Sequence, residues 1–161
     1  MIDQDTFVKD LVGEDELGVV IRAHIHIEAW LNEVLSQLVV DMEYLEKAQL
    51  EYHQRVNLAI ALGLKEQHRS PLLAFGKLRN AFAHNVGQKL TKDRVDNLYK
   101  SLSPEDKVIA HRVYESTRSE LDTGGEYRSL RELDPKDQFV LWATALHGML
   151  RAAVKQLRGD V

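Results

Sequence analysis

Apolar residues recur three and four positions apart through most of this chain, and no stretch of useful length alternates apolar with polar as a half-buried strand does. Thr6 to Val12 predicts a short leading turn. Glu14-Asp15-Glu16 then places acid in a first turn, where the helix dipole favours it. The helix that follows reaches Val40, with Leu17, Val20, Ile21, His24, Ile27, Leu31, Val34, Leu35 and Leu38 in one apolar stripe. This proline-free run reads as a central bundle helix. A second helix covers about Met42 to Leu62, burying Leu45, Ala48, Tyr52, Val56, Ala59 and Ile60, with Gly63 as its cap. Asp41 either breaks the chain ahead of it or lies within one continuous run.

Ser70-Pro71 opens a third helix, with serine as N-cap and proline at the first helical position, and Leu72, Phe75, Leu78 and Phe82 on its inner side. A short helix runs from Thr91 to about Ser101. Ser103-Pro104-Glu105-Asp106 starts another that extends to about Leu121. Asp122-Thr123-Gly124-Gly125-Glu126 marks a flexible connection, spanning 122–133, before Asp134-Pro135 opens the last helix. There is no internal repeat. The fold class predicted is all-α, a single-domain helical bundle over residues 1–161 with long antiparallel helices.

The 161 residues suffice for one domain with a real core, and 44% hydrophobic with 29% charged residues is ordinary for a soluble globular protein. No apolar run is long enough to span a membrane, and the acidic Met1-Ile2-Asp3-Gln4-Asp5 start is unlike a signal peptide. The absence of cysteine excludes disulfides, thiolate catalysis and cysteine-ligated zinc. A cytoplasmic protein with no membrane partner is expected. The net charge of −4 argues against indiscriminate coating of nucleic acid. Its distribution changes that picture: Gln67 to Thr91 contains no acid, while Arg69, Lys77, Arg79 and Lys89 are basic and Lys92 extends the run.

Inside that run lies Leu78-Arg79-Asn80-Ala81-Phe82-Ala83-His84-Asn85. Arginine, asparagine and histidine can respectively hold a phosphate, orient a polar group and carry a proton near neutral pH. On an unbroken helix Arg79 and His84 sit roughly 140° apart. They converge only if the chain unwinds between them or if two copies face each other. Asn85 and Gly87 suit a helix stop, since both tolerate the left-handed conformation.

The R-N-x-x-x-H pattern on a helix that ends in an all-helical chain resembles the HEPN superfamily, across about residues 14–160. Ala59-Ile60-Ala61-Leu62-Gly63-Leu64 resembles the mannitol-repressor-type branch of related domains. The first resemblance implies a HEPN-like homodimer with the two sites together at its interface. It also implies a metal-independent endoribonuclease of the toxin or RNA-defence type, with RNA as substrate, no cofactor, and a separate antitoxin or regulatory protein. Carried over, His84 handles the proton of the 2′-hydroxyl or the leaving oxygen, Arg79 stabilises phosphate charge and Asn80 fixes a partner. Glu28 and Lys77 support them, and Arg69, Lys89 and Lys92 are the RNA-binding cations. The alternative is a non-catalytic mannitol-repressor-like transcriptional regulator or protein-interaction module, in which the motif caps the helix or bridges to acids on the first helix.

Other chemistry is weaker. His24 and Glu28 share a helix face, but two ligands are too few for a metal. His53, His68, His111 and His147 follow no ligand spacing, and His147 reads as a packed, hydrogen-bonded residue. The chain has no G-x-S-x-G, P-loop or dinucleotide fingerprint, no basic recognition helix and no aromatic platform for single strands.

Overall fold

A computed structural model describes residues 2–85, 87–117 and 129–159. Among the described residues the chain is entirely helical: α1 (Gln4–Val12), α2 (Glu16–Leu38), α3 (Met42–Lys47), α4 (Tyr52–Ala61), α5 (Arg69–His84), α6 (Lys92–Ser101), α7 (Pro104–Thr117) and α8 (Pro135–Arg158), with no strand. The all-α expectation therefore holds. Most of the expected connection at 122–133, together with the predicted extension of α7 to Leu121, lies outside the described residues. Its last part is ordered by α8: the buried Gln138 amide donates to the carbonyls of Leu130 and Leu133 at 2.7 and 3.1 Å.

α8 shares the centre of the bundle with α2. Every residue from Asp137 to Ala145 is buried, as are Leu146 and His147, because α1, α2, α6 and α7 surround it. A helix apolar nearly all round belongs inside a bundle. Asp3 and Asp15 start α1 and α2 by accepting from the backbone N–H groups of Thr6 and Gly18 at 2.8 and 2.7 Å. α1 runs antiparallel to α8, with Lys136 donating to the Val12 carbonyl at one end and Phe7 stacked on His147 towards the other. The two longest helices run the same way, contrary to the antiparallel expectation for long neighbours. Trp30 meets His147, and further along each helix Glu33 meets Arg158.

The helix expected over 42–62 is two helices. Asp41 caps α3 by accepting from the Glu43 N–H at 2.9 Å, and Gln49 turns the chain at a φ of 50°. Glu51 and Gln54 then form a reciprocal capping box that starts α4. Arg55 ties the break to α2, donating to the Leu50 carbonyl at 3.0 Å and to Asn32 Oδ1 at 2.8 Å. At the other end of α4, Gly63 adopts a φ of 124°. The Leu64 N–H reaches the Ala59 carbonyl at 2.9 Å and the Gly63 N–H that of Ile60 at 3.1 Å, a Schellman ending.

α5 begins two residues earlier than expected. A single 3-10 turn, Glu66–His68, leads into Arg69, so Ser70 is inside the helix and provides no cap hydrogen bond. Pro71 is accommodated because N–H groups of a first turn have no helical acceptor to lose. Leu72, Phe75, Leu78 and Phe82 are buried as their spacing requires.

Candidate functional site

α5 continues unbroken through His84, so the chain does not unwind between Arg79 and His84. At about 100° per residue, Arg69, Leu73, Gly76, Lys77, Asn80 and His84 fall within an arc of roughly 100°. These six residues line a cleft of about 680 Å³ whose opposite wall is the start of α4, including Glu51, Tyr52, His53 and Asn57. Lys77, Asn80 and His84 are exposed along it. Arg69 crosses it, its Nε donating to Asn57 Oδ1 at 2.8 Å.

Arg79 lies about 60° outside that arc, among the apolar positions of α5. Its stem is consequently half-buried, yet it too lines the cleft. Its Nε is buried and, among the described residues, without a hydrogen-bond partner. Its charge is felt by two buried neighbours, His24 from α2 and Tyr52 from α4. Burial, reinforced by the Arg79 guanidinium, lowers the His24 pKa to about 4. His24 is therefore neutral at pH 7, and the positive charge at this wall belongs to Arg79. The His24 ring lies 4.5 Å from that of Tyr52. Burial and the Glu28 carboxylate push the Tyr52 phenol up, against the pull of Arg79, so it stays protonated. Its hydroxyl donates to the Leu72 carbonyl at 3.1 Å.

The remaining expected residues divide. Glu28 approaches this group through His24, with Oε2 3.6 Å from Nδ1, and among the described residues no ion pair joins it to Arg79 or His84. Lys89 is exposed on the connection after α5 and lines no part of the cleft. Lys92 belongs elsewhere: it donates to Gln138 at 2.8 Å, pairs with Asp96 at 3.2 Å and lines a separate cleft. Its nearness to the motif in sequence was misleading, because the turn after Asn85 carries the chain away.

The helix stops at Asn85 as expected, but not through a left-handed residue there. Asn85 is extended, at φ −148° and ψ 105°. The Asn85 side chain instead accepts from the Gly87 N–H at 3.0 Å, and its carbonyl from the Gln88 N–H at 3.1 Å. His84 is left as the last helical residue.

The sequence reading missed His53 and Asn57 as wall residues and Tyr52 as the group packed beside Arg79. Tyr52 was legible only as a buried position of α4; nothing in the spacing showed that it faces the motif. Among the described residues no group of three His, Asp or Glu is placed to hold a metal ion. None of the helices described is long and apolar enough to cross a membrane.

Chemically, the cleft combines an arginine fork, two further cations, two exposed imidazoles and two neutral amides, with Glu51 as the lining carboxylate. That set suits a phosphate group with a proton to be moved beside it. No protein-family model matches the chain, and neither a curated protein nor a solved structure matches it.

Proposed function

We propose that this chain is a HEPN-like, metal-independent endoribonuclease of the toxin or RNA-defence type. The observation that carries the reading is that Arg79, Asn80 and His84 open onto one cleft together with Arg69 and Lys77. Arg69 and Lys77 hold flanking phosphates. The RNA 2′-oxygen attacks the adjacent phosphorus, the bond to the 5′-oxygen breaks, and a 2′,3′-cyclic phosphate is left. His84 takes the proton of the attacking hydroxyl or supplies one to the leaving oxygen. Arg79 stabilises the charge that builds on the phosphate oxygens. Asn80 orients one partner, and Glu28 acts at one remove through His24 and Tyr52.

The reading includes a homodimer whose two clefts lie together, and a separate antitoxin or regulatory protein that restrains it. The helical separation of Arg79 and His84 supports a second copy completing each site. The test is cleavage, in chelator, of an RNA and of the same RNA with a single 2′-deoxy nucleotide at the cut site. Cyclic phosphate ends from the first and no cut at that position in the second are expected. Cutting of the deoxy position would exclude 2′-hydroxyl attack.

A second reading is favoured by the buried Nε of Arg79, unpartnered among the described residues, as in a side chain serving to pack α2, α4 and α5 together. The chain would then be a non-catalytic mannitol-repressor-like transcriptional regulator or interaction module, and RNA would remain intact in either experiment.

A further inference from the structure

A second cleft, of about 470 Å³, opens between α6, α7 and α8 on elements that contribute nothing to the motif. Tyr99 and Trp142 form its aromatic side, their rings 4.7 Å apart and tilted by 38°. Trp142 is only 4% exposed, and among the described residues its indole N–H has no acceptor. A buried donor without an acceptor is uncommon in a folded protein, and this one belongs to a side chain that lines the cleft.

The wall is fixed from behind. Gln138 is 1% exposed, spends its amide on two backbone carbonyls, and accepts from Lys92. Lys92 is also held by Asp96. Lys100 and Arg131 also line the cleft, are exposed, and among the described residues form no ion pair. An aromatic floor and two exposed cations are complementary to a flat ring that carries a negative group.

We propose that this cleft binds a small aromatic anion, with its ring against Tyr99 and Trp142 and its phosphate or carboxylate at Lys100 and Arg131. The site is independent of the ribonuclease reading, and neither depends on the other. A nucleotide and an aromatic acid share this chemistry, and the experiment separates them.

The full chain labelled with ¹⁵N gives two indole N–H resonances, from Trp30 and Trp142, and Trp142→Phe identifies the second. Adenosine 5′-monophosphate and salicylate are titrated at low salt, with adenosine and inorganic phosphate as the half-ligands. Saturable movement of the Trp142 resonance alone is expected with a probe that has both ring and charge. The half-ligands should bind at least about tenfold more weakly. Lys100→Ala with Arg131→Ala should weaken binding by a similar factor while the Trp30 resonance stays in place. Saturation by the monophosphate assigns a nucleotide, and saturation by salicylate alone assigns an aromatic acid. No saturable movement with either, equal binding of inorganic phosphate, or unchanged affinity in the double variant would overturn the proposal.

Discussion

The Tyr52 ring rests on the bare Cα of Gly76. A methyl group at Gly76 would stand 2.6 Å from Tyr52 Cε1 and 2.7 Å from Cδ1. This contact lets α4 and α5 approach closely enough for Tyr52 to reach the Leu72 carbonyl beneath Arg79. Helix propensity alone predicts that Gly76→Ala stabilises by about 1 kcal/mol. Overpacking against a buried ring costs about 1–3 kcal/mol and should win, giving net destabilisation in urea unfolding. A stabilised variant would show that the ring yields freely.

Trp30 and His147 predict a second effect. The Trp30 N–H donates to His147 Nε2 at 2.9 Å, and since indole only donates, that nitrogen must carry the lone pair. Trp30→Phe leaves a fully buried acceptor unsatisfied and should cost about 1–3 kcal/mol beyond the lost ring area. Calorimetry that shows an unchanged midpoint would contradict this.

Acid should unfold the protein through its histidines. Burial lowers the pKa of His24 and of His147 to about 4, from an ordinary 6.5, with Arg79 adding to the first shift and His26 and Arg151 to the second. The unfolded chain therefore binds these protons first. The stability that the two neutral rings confer is fully present above about pH 6.5 and is lost as pH falls through about 4. Each histidine accounts for up to about 3 kcal/mol of that loss. Imidazole signals of His24 and His147 that titrate near 6.5 in the folded protein would refute this assignment.

At the start of α7, Ser103 Oγ accepts from the Asp106 N–H at 3.1 Å and donates to Asp106 Oδ2 at 2.8 Å. Burial pushes the Asp106 carboxyl up, but Ser103 and His68 together hold it below the ordinary carboxylate value. Ser103→Ala should cost about 1 kcal/mol as a lost cap and raise the Asp106 titration in NMR. A carboxyl signal that does not move would assign the lowered value to His68 alone.

The helical pattern was legible because buried faces follow the helix period, as Leu72, Phe75, Leu78 and Phe82 show. The break at 48–51 was not legible, because it depends on Gln49 turning left-handed and on Arg55 reaching Asn32 across α2. The burial of α8 nearly all round depends on which helices pack against it, which periodicity does not reveal. At the site, the cations of one helix could be read in order, so Arg69 and Lys77 joined the motif. Lys92 did not, since the Asn85 turn lies between. His24, Tyr52 and His53 come from other helices, and only folding brings them alongside.

The central claim is that Arg79 and His84 act together on one phosphodiester, and single-turnover RNA cleavage at pH 7 in chelator measures it most directly. Wild type, His84→Ala and Arg79→Ala are compared, each first shown to keep its cooperative unfolding. Cleavage by the wild type is expected, with each variant slower by about 10²–10⁴-fold, the size of a lost acid–base or charge-stabilising group. Equal rates in all three, or no cleavage by any, would contradict the account.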